Sequence, residues 1–113
     1  MNNILLDTNF ILTCIKQKID FFEELIGNQI LIPEQVINEI KRLDNSNSKL
    51  ALQILDKKPF KKINLGRGHV DKKIVQYVKD NPNIIVATLD KEIQNKINTK
   101  KLIIRGKKRL EII

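Results

Sequence analysis

Short apolar runs alternate along this chain with stretches whose apolar residues recur at helical spacing. Ile4-Leu5-Leu6, Gln29-Ile30-Leu31-Ile32 and Ile84-Ile85-Val86-Ala87 are strand candidates. Lys61 to Leu65 reads as a short edge strand, and Leu102-Ile103-Ile104 and Leu110 to Ile113 as the closing strands. Between them, Asn9 to Ile15, Phe21 to Ile26, the stripe Val36, Ile37, Ile40 and Leu43, the segment Leu50 to Leu55, the stripe Val70, Ile74, Val75 and Val78, and the polar stretch Lys91 to Asn98 read as helices. Gly27-Asn28, the polar joint Asp44-Asn45-Ser46-Asn47-Ser48, Pro59, Gly66-Arg67-Gly68 and Asn81-Pro82 punctuate the pattern. Pro33 suits the first turn of a helix. Ile84 to Ala87 has no polar interruption, which fits a parallel strand covered on both faces. Repeated strand-then-helix order predicts an α/β sandwich around a mostly parallel sheet. Ligands of such sheets bind beyond the carboxyl ends of the strands.

At 113 residues the chain is expected to be a single domain spanning 1–113. A domain this size buries roughly 65% of its unfolded surface, enough for one core without staples. Cys14 is the only cysteine and His69 the only histidine, which excludes a disulfide framework and a tetrahedral Cys/His zinc site. The opening residues carry no basic stretch followed by an apolar one, and no apolar run approaches membrane-spanning length. A soluble, cytoplasmic protein with no membrane partner is expected.

The net charge is +8, and it is unevenly placed. Residues 1–56 hold 5 basic and 8 acidic side chains, whereas residues 57–113 hold 16 and 5. A chain rich in Ile, Lys and Asn can owe its lysines to genome-wide bias, but bias does not segregate them. The asymmetry points to a polyanionic partner on one face.

Four acids stand where the α/β pattern puts ligands. Asp7 directly follows Ile4-Leu5-Leu6, and Asp90 follows Ile84 to Leu89. Either is also a natural helix N-cap. Thr88 lies two residues before Asp90, positioned to orient a carboxylate. On a helical wheel with Val70 at zero, Asp71 falls at about 100°, inside the arc of Val70, Ile74, Val78 and Val75. An inward carboxylate there is expected, unless it serves the dipole of its helix's first turn. Glu39 lies at the edge of the Val36-to-Leu43 stripe, where a snorkelling edge residue is the bland alternative. Clustered carboxylates repel and cannot all ionise unpaired. With too little Cys and His for zinc, Mg²⁺ or Mn²⁺ is the natural neutraliser, and such an ion beside a basic surface suits phosphodiester hydrolysis.

These stretches resemble PIN-domain nucleases, in order, over nearly the whole chain. Leu6-Asp7-Thr8-Asn9 is similar to the family's opening acid followed by a small polar residue. Ile32-Pro33-Glu34-Gln35-Val36-Ile37-Asn38-Glu39-Ile40 resembles the strand, proline and helix that carry the second acid, and Asp71-Lys72-Lys73-Ile74-Val75 resembles the third motif. Val86-Ala87-Thr88-Leu89-Asp90-Lys91-Glu92 resembles the Thr-x-Asp signature that carries the fourth. Ile104-Arg105-Gly106-Lys107-Lys108-Arg109-Leu110-Glu111 resembles the tail of archaeal members close to VapC-type toxins and ribosomal-processome PIN domains. The chain departs from the pattern at Lys72, where relatives often carry a further acid.

The resemblance implies a three-layer α/β/α sandwich with a mostly parallel five-stranded sheet. It implies a Mg²⁺- or Mn²⁺-dependent endoribonuclease, often a homodimer. It makes Asp7, Glu39, Asp71 and Asp90 the catalytic, metal-binding acids, with Asn9 and Thr88 holding them in place. Arg105, Lys107, Lys108 and Arg109 become candidate RNA contacts, the alternative being a solvated tail. The implied setting is either a VapC-type toxin with an antitoxin partner or rRNA processing on a pre-ribosome. An inactive PIN-like scaffold that binds RNA is the non-enzymatic alternative. Other α/β sites fit less well. A haloacid-dehalogenase-like phosphatase needs an Asp where Asn9 stands, and a receiver domain needs acids where Asn2 and Asn3 stand. A dinucleotide site fails because Gly66-x-Gly68 lacks its third glycine and follows a weak strand.

Overall fold

The computed structural model describes all 113 residues. Its strands are β1 (Asn3–Leu6), β2 (Gln29–Pro33), β3 (Lys61–Ile63), β4 (Ile85–Ala87), β5 (Lys101–Arg105) and β6 (Arg109–Ile112). Its helices are α1 (Thr8–Lys16), α2 (Phe21–Glu24), α3 (Glu34–Leu43), α4 (Ser46–Lys57), α5 (Val70–Asp80) and α6 (Lys91–Lys96). The strands form one sheet in the order β3-β2-β1-β4-β5-β6. All neighbours are parallel except β5 and β6, which pair antiparallel. The sheet therefore has six strands, the number the residue pattern offers and one more than the resemblance implied. The sixth arises because Gly106, at φ 65°, turns the chain straight back beside β5.

Side-chain alternation divides the central strands between two cores. Ile4, Leu6, Ile30, Ile32, Ile85 and Ala87 face one side, with Phe10, Ile11 and Cys14 of α1, Val36, Ile37 and Ile40 of α3, and Ala51 and Leu55 of α4. Leu5, Leu31 and Val86 face the other, with Ile74, Val75 and Val78 of α5 and Ile93 of α6. Both faces of β1, β2 and β4 are thus covered, and this explains their unbroken apolar runs. Cys14 is fully buried in the first core, and burial pushes its thiol up to about 12. It packs as a small apolar side chain.

Several helices begin at caps readable in the sequence. The Asp7 carboxylate accepts from Phe10 N at 2.8 Å to start α1, and Asp20 accepts from Glu23 N at 3.1 Å to start α2. Asn45 and Ser48 form a reciprocal capping box, each bond 2.8 Å. That box draws residues 46–48, expected to be a polar joint, into α4. Pro33 ends β2 and caps α3 rather than standing inside its first turn. No helix is long and apolar enough to cross a membrane.

Candidate functional site

The chain passes from β1 to β2 and β3 on one side, then returns to place β4 on the other side of β1. Strand order reverses there, so the loops beyond β1 and β4 diverge and leave a crevice at the carboxyl edge. Asp7 ends β1 at this point, and Thr88 to Asp90 leave β4 beside it. The backbone N–H of Asp7 donates to the Ala87 carbonyl at 3.2 Å, so the two strand ends are fastened together.

Asp7 is only 7% exposed. One carboxylate oxygen accepts from Phe10 N, and the other accepts from the Thr88 hydroxyl. Thr88 is fully buried, and its Oγ1 also accepts from Asp90 N at 3.1 Å. A single hydroxyl thus ties the first acid to the backbone of the fourth. Gln94 secures the arrangement from α6, donating through Nε2 to the Thr88 carbonyl at 2.8 Å. The sequence reading missed Gln94, although its position in the first turns after Asp90 marks a side chain able to reach back. Asp90 itself caps α6, accepting from Glu92 N at 2.9 Å.

Burial pushes the Asp7 carboxyl from its ordinary 3.8 up to about 6. Bonds from Thr88 and Phe10 pull it down, while the charges of Asp71 and Asp90 push it further up. Replacing Thr88 by valine should leave a buried carboxylate oxygen and the Asp90 N–H without their partner. The expected cost is about 1–3 kcal/mol, measured by denaturant unfolding above neutral pH.

The other candidates are placed differently. Asp71 lies in the first turn of α5 and is exposed, not turned into the core as the wheel implied. Its side chain lines a cavity between α5 and α6 instead of packing into the core. Glu39 is half-buried on α3, in the opposite layer from α5. It lies about 7.5 Å along the axis from the start of its helix, by the rise of 1.5 Å per residue. Asn9 is exposed, and none of its hydrogen bonds reaches the acids. No three acidic, His or Cys side chains stand close enough together to hold a metal ion directly. Asp7 and Asp90 follow the carboxyl ends of β1 and β4, Asp71 stands in the first turn of α5 and Glu39 in the middle of α3, and the four do not close on one point.

The site's chemistry nevertheless suits a hard divalent cation. Asp7 is a desolvated carboxylate facing two like charges, and a cation relieves both penalties. Mg²⁺ commonly uses one or two carboxylates and keeps several waters, so three converging side chains are not required. The hydroxyl oxygen of Thr8, beside Asp7, is buried without a hydrogen-bond partner.

Arg105, Lys107, Lys108 and Arg109 form the tip of the β5–β6 hairpin, not a loose tail. Arg105 and Arg109 stand opposite each other in register, and Arg105 Nε lies 2.6 Å from Glu111 Oε2. Because β5 runs parallel to β4, this tip lies at the same carboxyl edge as Asp7.

Comparison with known proteins agrees with this fold. A family model described as a PIN-like domain matches residues 4–108. Ribonuclease VapC4 of Methanocaldococcus jannaschii is 34% identical, over 99% of this chain and 97% of its own. The structure of the PIN domain endonuclease Utp24 superposes with a TM-score of 0.85 at 28% identity, covering 97% of this chain and 90% of that one. With the family model spanning nearly the whole fold, the chain belongs to the PIN-like domain family.

Proposed function

We propose that the protein is a divalent-metal-dependent endoribonuclease that hydrolyses RNA at the crevice between β1 and β4. The observation that carries this reading is Asp7: a buried carboxylate at the strand-order reversal, held by Thr88, its proton affinity raised by burial first and then by the charges of Asp71 and Asp90. Two relatives that cover most of the chain are named a ribonuclease and an endonuclease.

Asp7 and Asp90 would be the principal ligands of Mg²⁺ or Mn²⁺, with Asp71 and Glu39 completing the charge around it. When bound, the ion supplies Lewis-acid activation of water and neutralises charge developing on the scissile phosphate. The chain's own contribution is positional. Thr88 fixes one oxygen of Asp7, and Phe10 N fixes the other. Gln94 keeps the β4–α6 turn in place, and the apolar residues beneath Asp7 exclude water from one side. No protein nucleophile is required, so Cys14 and His69 should be dispensable.

The test is incubation with structured RNA in Mn²⁺ or in EDTA. Cleavage should occur only with the ion and should be lost in Asp90→Asn. An inactive scaffold would bind RNA under both conditions and cut under neither. A VapC-type toxin and an rRNA-processing nuclease would share this chemistry, and an antitoxin gene beside the coding sequence distinguishes the former.

The hairpin tip is the proposed edge contact for RNA. Each phosphate neutralised on a single strand contributes about −0.7 to the slope of log affinity against log salt. Replacing Lys107, Lys108 and Arg109 together by alanine should flatten that slope by up to about 2. An unchanged slope would remove the hairpin from the RNA path.

A further inference from the structure

A cavity of about 380 Å³ opens between α5 and α6, beside the candidate cleavage site. Its walls include Asp71, Lys72, Gln76 and Lys79 from α5, and Glu92 and Lys96 from α6. The volume is within the range that accepts a small ligand or one unit of a polymer. The charges in it are ordered. Each of the two helices leaves the carboxyl end of one strand and leads into the next parallel strand, so they run in the same direction. Asp71 and Glu92 therefore stand together at the end near the crevice, in the first turns of α5 and α6. Lys79 and Lys96 stand in the last turns, Lys96 the nearer of the two to the acids because α6 is the shorter helix. From Asp71 to Lys79 the separation along the helix is about 12 Å, at 1.5 Å per residue. Val75 and Ile93 lie between the two ends. None of the three lysines has an acidic partner within salt-bridge distance.

A cleft with acids at the reacting end and unpaired lysines at the other matches a polyanion that is cut at one end of the cleft and held at the other. We propose that the α5–α6 cleft carries the RNA backbone away from the cleavage site, with Lys79 and Lys96 each holding a phosphate beyond the scissile one. Lys72, one residue after Asp71, lines the same cleft at its acidic end. This proposal rests on the nuclease reading above and adds the course of the substrate. It gives Lys72, a departure from the family's acidic pattern, a phosphate to meet. Cations in a last helical turn also complement the helix dipole, so a purely structural role is the competing account.

The deciding experiment measures binding of a labelled single-stranded oligoribonucleotide across a salt series in EDTA, where metal-dependent cleavage is suppressed. The double variant Lys79→Ala/Lys96→Ala should flatten the log–log salt slope by about 1.4, two phosphate contacts at about 0.7 each. A control pair on the opposite layer, Lys18→Ala/Lys49→Ala, should leave the slope unchanged. A double variant whose thermal midpoint falls while its slope matches wild type would overturn the proposal in favour of the dipole role. Wild-type protein that fails to bind the oligonucleotide at any salt would overturn it as well. Cleavage in Mn²⁺ is read in parallel. Wild type that cuts RNA, with an unchanged slope in the double variant, defeats the cleft alone; wild type that never cuts defeats the nuclease reading itself.

Discussion

Asp7→Asn should make the protein more stable and inactive at once. The Asp7 carboxyl is raised from 3.8 to about 6, mainly by burial. The folded state therefore binds its proton more readily than the unfolded chain does. Below about pH 4 the group is protonated in both states and costs nothing. As pH rises through about 6 the folded protein must carry a buried charge, and stability falls. The full penalty, about 3 kcal/mol from a shift of roughly two pKa units, is present at pH 8. Asparagine keeps an oxygen to accept from Phe10 N and carries no charge. The substitution should therefore raise unfolding free energy at pH 8 by up to about 3 kcal/mol, with the difference vanishing near pH 4. RNA cleavage by the same variant should drop by orders of magnitude. Equal stability of the two proteins across that pH range would show that Asp7 is an ordinary helix cap.

The second large effect is ion-induced stabilisation. A cation that binds the folded carboxylates, with no equal site in the unfolded chain, stabilises by mass action. At an ion concentration about 100 times its dissociation constant the gain is about 2.7 kcal/mol. Mn²⁺ or Mg²⁺ should raise the unfolding midpoint of wild-type protein, and EDTA should return it. The gain should shrink in Asp7→Asn, whose repulsion is already relieved. A midpoint indifferent to both ions would detach the acidic cluster from metal chemistry.

Much of this was legible in the sequence because the signals are local. Strand runs and helix stripes follow from burial on one or two faces, and Asp7 and Asp90 directly follow apolar strands. What escaped depends on contacts made far along the chain. Residues 46–48 looked like a joint because the capping box that makes them helical is visible only as a pair, Asn45 with Ser48. The sixth strand was readable as an apolar run, but its antiparallel return depends on the turn at Gly106. Asp71 was misplaced because a helical wheel describes direction and not depth. Its side chain lines the cavity between α5 and α6 and stays exposed. The link between Asp7 and Thr88 spans 81 residues, and spacing alone cannot reveal such a bond. The basic patch read from the sequence is a hairpin tip at the carboxyl edge of the sheet, whereas the α5–α6 cleft combines lysines too widely separated to form a motif.

The most direct test of the central claim is the chemistry of the cut ends. Single-stranded RNA incubated with wild-type protein and Mn²⁺ should yield fragments with 5′-phosphate and 3′-hydroxyl ends, the outcome of attack by water. EDTA, Asp7→Asn and Asp90→Asn should each abolish the products while the fold remains intact. Fragments ending in a 2′,3′-cyclic phosphate, formed in EDTA and by both variants, would mean that the ribose hydroxyl is the nucleophile and that these acids are only helix caps.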